Sequence, residues 1–496
     1  MGASTSPLPE HMILKDVLPY STLVLLKKGE CLSFKEDAPR AFYYVGAGAM
    51  EVSYTTGDTK IVVASIGNGQ FFGEIGFFDG VSRVRDVRAS EGSRLNMFSQ
   101  DQMERFRTDD PELYGRFITV ITQSICVKFR RILGEREPLK AYAASLSTGA
   151  RCFVESRALS REFFKTREGS RSTAIVEALK AEMFELSVTL QQDLQEKIPV
   201  GITTRFNRVM DTFFDDIGEF DQVLEDSQLK EEVWGYIFKE TFPYFMRSSL
   251  TERAYFKPNG YAGDFKMIDM MYQNRPRGSG KIGRLVDGWL LNRPPCMAVR
   301  GRREFIAERL ENMSRGIVLQ KNRVSIMNLA CGPSRELFDF IQRFEHDSQV
   351  HAICLDIDPE ALQYTGEKSR SFAHKATISY LKDNLIKWAL GTSSHEIELQ
   401  DIIYSGGLFD YLDDDLFVLL ANRCYDQLNP GGSLMVGNFR PNPDKVFMDR
   451  LLEWRLVYRE PEELVSLFGK TRFASDIEVV AEEAVGIQLF AIGMKP

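Results

Sequence analysis

The sequence predicts a multidomain chain, α+β in its first part and α/β in its last. Three observations lead there. At 496 residues it is too long for one ordinary core. Its first hundred residues are short apolar runs punctuated by glycine. From Val324 onward, short β runs alternate with helical segments.

The elements follow in order. Leu23-Val24-Leu25-Leu26, Ala41 to Val45, Met50 to Tyr54 and Ile61 to Ala64 read as strands, with Gly46, Gly48, Gly57, Gly67 and Gly69 at the turns, the pattern of a small antiparallel barrel. From Pro111 the period becomes helical, with Leu113, Phe117, Val120, Ile121, Ile125 and Phe129 on one face and an end near Gly134. Residues from about Ser156 to Ser248 are mostly helical. A Gly/Pro/Arg-rich passage runs from Lys257 to Arg303. Strands are then expected at Val324–Leu329, Val350–Leu355, Thr377–Tyr380, Asp401–Tyr404 and Ser433–Val436, closed by Glu478–Val480 and Ile487–Met494. Expected limits are 1–12 for a tag or disordered leader, with the native start at Met12, then 13–146 for the barrel domain, 147–300 for a helical linker or lid and 301–496 for the α/β domain.

Composition narrows the classes. The chain is 44% hydrophobic and 27% charged, as in soluble globular proteins, and no apolar run approaches the roughly 20 residues that cross a bilayer. A net charge of −8 argues against nucleic acid as a partner, because that surface must be cationic. The seven cysteines form no CxxC pair and the five histidines no HExxH, so neither a disulfide framework nor a metal site is expected. A reduced, cytoplasmic protein is the plain reading.

The densest early motif is Gly69-Gln70-Phe71-Phe72-Gly73-Glu74-Ile75-Gly76, with Arg83-Val84 following. Gly73 and Glu74 opening a helical turn present backbone N–H groups to an anionic phosphate, Arg83 adds a charge-assisted bond, and Glu74 can accept from a ribose hydroxyl. This resembles the phosphate-binding cassette of cyclic-nucleotide-binding domains. The resemblance implies a cyclic nucleotide as regulatory ligand at Gly73, Glu74, Arg83 and Val84. The Val84-Arg85-Asp86 that follows departs from the small-residue-then-Thr/Ser usage of cyclic AMP binders, which leaves the nucleotide open. A barrel that keeps its glycines only for turns is the alternative.

Ala330-Cys331-Gly332-Pro333-Ser334 after the Val324 strand is a tight turn entering a helix. One glycine stands where a dinucleotide fingerprint has three, so a pyrophosphate is poorly served. Asp356-Ile357 ends the second strand, where an acid can bind both ribose hydroxyls. Asp383-Asn384 ends the third and can reach an adenine amino group. Ser405 ends the fourth, and Asn429-Pro430-Gly431-Gly432 precedes the fifth. This series resembles Rossmann-like class I methyltransferases from about residue 300 onward, which implies S-adenosyl-L-methionine as cofactor.

Tyr261, Asp264 and the flanking Gly260 and Gly263 suggest a lid or clamp, or alternatively a rigid cap. With Arg300-Gly301-Arg302-Arg303 and the Ala-Cys-Gly-Pro turn, the insert resembles the 3-hydroxypalmitic acid methyl ester biosynthesis methyltransferases. That implies a small-molecule or fatty-acid-like acid as methyl acceptor. Tyr261, Arg303 and Tyr458 are the expected catalytic residues; Tyr261, Asp264 and Arg300 join Ala330, Gly332, Asp356, Ile357, Asp383, Asn384 and Ser405 at the cofactor, with Asn438 and Arg459 as further acceptor-side candidates. A carboxylate acceptor is ionised at neutral pH and needs no base, in keeping with the lack of a histidine near the motif loops. The alternatives are another small-molecule oxygen or nitrogen, or a sensing protein whose cofactor site is structural. A homodimer through the helix from Pro111 to Leu133 is expected.

Overall fold

A computed structural model describes residues 10–33, 40–56, 59–80, 86–126, 161–192, 197–393, 395–474 and 476–496. The chain divides into two compact units, one of residues 1–140, 355–371 and 380–398, the other of residues 141–354, 372–379 and 399–496.

The first unit holds the N-terminal β domain. Its strands are β1 (Thr22–Leu26), β2 (Cys31–Ser33), β3 (Ala41–Ala47), β4 (Met50–Thr56), β5 (Thr59–Ile66), β6 (Phe71–Phe72), β7 (Asp86–Ala89) and β8 (Ser93–Ser99). One set runs β1-β8-β3-β6 and another β5-β4-β7-β2, with neighbouring strands antiparallel in both. β3 is buried from Ala41 to Val45 because both its faces are covered. Side chains alternate along a strand. Phe42 and Tyr44 therefore join Phe98, Phe106 and Phe117, while Tyr43 and Val45 join Phe72, Val87 and Leu95.

Phe117, Val120 and Ile121 come from the helical stretch 111–126, and Phe117 packs its ring 5.1 Å from Phe98, tilted by 43°. Leu113 and Ile125 pack on the same cluster. Over these residues the apolar stripe fills the core of its own domain; Phe129 and the rest of the expected dimer helix lie outside the described residues. The leader expected at 1–12 is helical from Glu10: the helix Glu10–Val17 docks Leu14 and Val17 into this core.

The second unit begins with a helical region. In the helix Val200–Val223, Phe206, Met210, Phe213, Ile217 and Phe220 recur at three- and four-residue spacing and are all buried. The buried indoles keep donors satisfied, Trp234 on Asp221 at 2.7 Å and Trp289 on Asp211 at 2.8 Å. The helix Pro294–Lys321 starts with two prolines in its first turn, where a missing N–H is harmless, and ends on Asn322 at φ 53°. It runs unbroken through position 300, so the limit expected there is not the end of an element.

The α/β sheet comprises β9 (Val324–Leu329), β10 (Val350–Asp356), β11 (Thr377–Lys382), β12 (Gln400–Ser405), β13 (Leu428–Phe439), β14 (Ile477–Ala481) and β15 (Gln488–Met494). Within the unit the order is β14-β15-β13-β12-β9-β10-β11, the last two entering with residues 350–354 and 377–379. β9, β12 and β13 are parallel, and β15 is antiparallel to β13 and β14. Every residue of β9 and β12 is buried, as expected for central strands covered on both faces. Because β12 follows β10 and β11 in sequence but lies on the other side of β9, the strand order reverses between β9 and β12. Ligands of open α/β sheets bind at the carboxyl ends of such strands. Among the described residues no helix is long and apolar enough to cross a membrane.

Candidate functional site

β9 runs into a turn where Ala330, Gly332 and Ser334 have φ of 51°, 50° and 47°. Two of the three are not glycine, and such strain persists only where neighbours over-determine it. Here they do. Asn328 Nδ2 donates to Ser334 Oγ at 3.1 Å and to Glu336 Oε1 at 3.2 Å, Ser334 Oγ donates to the Cys331 carbonyl at 3.2 Å, and the Tyr404 hydroxyl donates to Glu336 Oε1 at 3.3 Å. Burial raises the Glu336 carboxyl above its usual range. Ser405 Oγ, at the tip of β12, donates to the Leu329 carbonyl at 3.0 Å and ties the two strand ends together. A Cβ on Gly332 would meet nothing within 4 Å, so the turn opens onto space.

Sequence reasoning passed over Arg302 and Asp410. Arg302 is 8% exposed, donates to Gln488 Oε1 at 3.4 Å, and lies so close to the loop after β12 that a Cβ on Gly407 would stand 2.8 Å from its Nη1. Asp410 accepts from the Phe439 N–H, and burial pushes its carboxyl up to about 7 against the opposing pull of Arg302 and Arg459. Arg302 sits inside a noted arginine run and Asp410 inside a noted loop, but only tertiary contact distinguishes them from their neighbours.

The insert is braced from within. Asp264 is 1% exposed, caps the helix Phe265–Gln273 by accepting from Met267 N–H at 2.9 Å, and pairs with Arg253 at 2.7 and 2.6 Å. Its carboxylate is thus engaged in holding the loop. Arg253 also donates to Asn259 Oδ1 at 3.1 Å. The Trp454 indole donates to the Tyr411 hydroxyl at 2.7 Å, which donates to the Ala262 carbonyl at 3.0 Å. Gly263, at φ 74°, leaves room for this pair: a Cβ there would fall 2.7 Å from the Tyr411 oxygen. Tyr261 is 36% exposed. Asp269 on the next helix holds Arg335 at 2.7 and 2.9 Å, joining the insert to the helix that follows the turn.

The remaining acceptor-side expectations change character. Arg303 is held by both oxygens of Asp339, at 2.6 and 2.8 Å, so it is an anchored cation and cannot serve as a base. The Tyr458 hydroxyl donates to Met448 Sδ at 3.8 Å, and burial raises its pKa, which keeps it a neutral phenol. Arg459 is 2% exposed and clamps Asn438 Oδ1 at 2.8 Å and the Phe409 and Leu412 carbonyls at 3.2 and 2.7 Å; both residues are internal braces of the loop after β12. Arg300 and Arg303 share a cavity with Tyr272, which Tyr261 and Tyr458 do not line. A separate apolar cavity of about 40 Å³, between Met271, Cys296, Val299, Phe447 and Trp454, has room for little more than one small group.

In the first unit, Asp356 is 4% exposed, accepts from Asp358 N–H at 2.9 Å through Oδ1, and takes the Asp383 N–H at 3.1 Å on its carbonyl. Ile357 beside it is 38% exposed. Asp383 Oδ1 accepts from Asn384 N–H at 2.7 Å and Oδ2 from Ser393 Oγ, while Asn384 caps the helix Leu385–Ala389 at 2.9 and 3.3 Å. In the barrel, Gly73 has φ 80° and begins the helix Glu74–Asp79, with Glu74 2% exposed. Arg83 and Val84 lie outside the described residues.

Two family models match parts of the chain. A family model described as "Cyclic nucleotide-binding domain" matches residues 23–110, and one described as "Putative methyltransferase" matches residues 259–364. No curated protein matches. Similar solved structures include a "possible exported protein" of Bordetella parapertussis, 16% identical, covering 68% of this chain and 100% of its own, with a TM-score of 0.38. A cyclic nucleotide-binding domain of Methylobacillus flagellatus is 17% identical, covering 26% and 71%, at 0.24. A c-di-GMP responsive global regulator of Xanthomonas campestris is also 17% identical, covering 31% and 76%, at 0.24. The chain carries a cyclic nucleotide-binding domain at its N-terminal side. A helical middle and a mixed α/β sheet of methyltransferase type follow it.

Proposed function

We propose that this chain is an S-adenosyl-L-methionine-dependent methyltransferase that converts a small or fatty-acid-like carboxylate to its methyl ester, under control of a nucleotide held by the barrel. The observation that carries this reading is the strained turn Ala330–Ser334, opening onto space at the end of β9. It falls within the segment that the methyltransferase family model matches. A ligand-free loop has little reason to keep two non-glycine residues at positive φ.

The residues suit the cofactor. Asp356 presents an acid for the ribose hydroxyls, Ile357 an exposed apolar side chain for the adenine face, and Asp383 with Asn384 polar groups for its edge. Gly332 and Ala330 leave the passage for the methionine part, and Ser405 braces it. When bound, the cofactor supplies an activated methyl group; the chain orients the acceptor and excludes water.

Arg303 anchored on Asp339 and a neutral Tyr458 offer no base, which favours an acceptor that is already ionised. They and Tyr261 then serve in orientation. The apolar cavity is too small to argue for a long acyl chain, so the acid group is the better supported half of the acceptor. The described cysteines are free, in keeping with a reducing, cytoplasmic setting. One observation favours a second reading: Asp410, titrating near neutrality, suits a general base for a hydroxyl or phenol acceptor. Incubating the purified chain with the cofactor and panels of acids, phenols and amines, followed by mass spectrometry, decides. Methyl esters support the carboxylate reading. Methylation of phenols alone, lost in Asp410→Asn, replaces it with the second.

A further inference from the structure

Arg300 has no hydrogen-bond or ion-pair partner among the described residues, and its Nη1 is buried. It lines a cavity of about 270 Å³ with Tyr272, Arg303, Glu304, Asp339 and Arg343. The two other arginines there are satisfied. Arg303 is held by Asp339 at 2.6 and 2.8 Å, and Arg343 Nη2 by Glu304 at 2.8 Å. Tyr272 is fixed as well, its ring 5.5 Å from the Arg303 guanidinium. Three guanidinium groups thus meet two carboxylates, and the uncompensated charge is Arg300.

A partly desolvated guanidinium with no counter-charge is costly, and natural structures keep one chiefly where a ligand supplies the missing anion. The planar fork matches a carboxylate through two parallel N–H···O bonds. The cavity, several times the roughly 30 Å³ share of one liquid water, has room for such a group and the atoms that carry it. Its walls are rigid because each is already paired, so an entering carboxylate meets a preformed site.

We propose that Arg300 receives the carboxylate of a small-molecule ligand of this chain. The inference rests on the methyltransferase reading for the source of that carboxylate, which is either the amino-acid end of the cofactor or the acid group of the acceptor. Arg303 and Arg343 act as positioning residues, holding the cavity wall through Asp339 and Glu304.

Calorimetry on the full chain separates the sources. The probes are S-adenosylhomocysteine, which carries the carboxylate, 5′-methylthioadenosine, which lacks it, and decanoate. The variants are Arg300→Met and Arg300→Lys. If the cofactor supplies the anion, Arg300→Met weakens S-adenosylhomocysteine about tenfold or more, leaves 5′-methylthioadenosine within about twofold, and Arg300→Lys recovers part of the loss. If the acceptor supplies it, S-adenosylhomocysteine is unchanged and decanoate is weakened instead. In either case the ligand-free melting temperature of Arg300→Met does not fall, since no hydrogen bond or ion pair is removed. If the wild type binds neither nucleoside, the methyltransferase reading fails and the decanoate titration decides Arg300 alone. If Arg300→Met weakens no carboxylate ligand, the proposal is overturned.

Discussion

The barrel and the sheet each start a helix from a left-handed residue, on different foundations. In the barrel that residue is Gly73, at φ 80°, and glycine adopts this conformation without steric cost. In the sheet it is Ser334, at φ 47°, preceded by Ala330 at 51°. Ser334 is held by Asn328, which with Glu336 and Tyr404 forms a set of buried polar groups that satisfy one another. A glycine turn can outlive its ligand because keeping it is cheap. A strained turn locked by a buried polar network is far harder to retain without use. The sheet is therefore the better supported of the two proposed ligand sites, and the barrel the one whose function most needs testing.

The largest expected effect tests the barrel directly. A nucleotide bound at Glu74 and Arg83 should change the rate of methyl transfer by about 5- to 150-fold, the range of typical allosteric coupling, and Arg83→Ala should abolish the change. Activity that is identical with every nucleotide tried makes the barrel a docking or structural module and widens the contrast with the sheet.

Next come two stability measurements. Asn328→Ala leaves Ser334 and Glu336 short of a donor and should lower the unfolding free energy by about 1–3 kcal/mol. Gly73→Ala should cost about 1–2 kcal/mol for its positive φ. Of the four tryptophans, Trp234, Trp289 and Trp454 lie in the second unit and Trp388 in the first. Denaturation followed by tryptophan fluorescence should therefore register Asn328→Ala more strongly. Equal shifts would mean that the turn is no more constrained than the cassette. In the same assay Gly263→Ala, which drives a Cβ toward Tyr411 and Trp454, should cost about 2 kcal/mol or more.

The last expected effect is a pH slope. The Asp410 pKa rises to about 7 in the folded chain from an ordinary value of 3.8. Between those limits the folded state binds the extra proton. Its contribution is complete below about pH 4 and is lost as pH climbs through about 7, at no more than about 1.4 kcal/mol per pH unit. Asp410→Asn keeps an acceptor for the Phe439 N–H and should remove that part of the slope. A variant with the wild-type pH profile would place the proton elsewhere.

Much of the architecture was legible in the sequence because burial writes itself into composition. β9 and β12 are buried at every position, and they read as short runs centred on Ile326-Met327 and Ile402-Ile403 that end in turn residues. The ends of those strands, Ala330 to Ser334 and Ser405, were legible for the same reason. Side-chain pairing across the fold was not. Arg300 and Arg303 stand three residues apart and line one cavity, yet Asp339, which neutralises only the second, lies 36 residues further along the chain. Arg302, between them, is buried against Gly407 by helix phase alone. Asp264 was readable in part, since an acid three residues before Met267 at a helix start is a capping signal. The stripe around Phe117 was visible, but which partner it covers depends on Phe42 and Phe98, which only the folded barrel brings to it.

The central claim is that the strand tips of the α/β sheet hold S-adenosyl-L-methionine. Isothermal calorimetry of the cofactor with the wild type and with Asp356→Ala tests it most directly. The account predicts saturable binding by the wild type and a loss of at least about tenfold in a variant that remains folded by circular dichroism. No binding by the wild type, or unchanged affinity in folded Asp356→Ala, would contradict it.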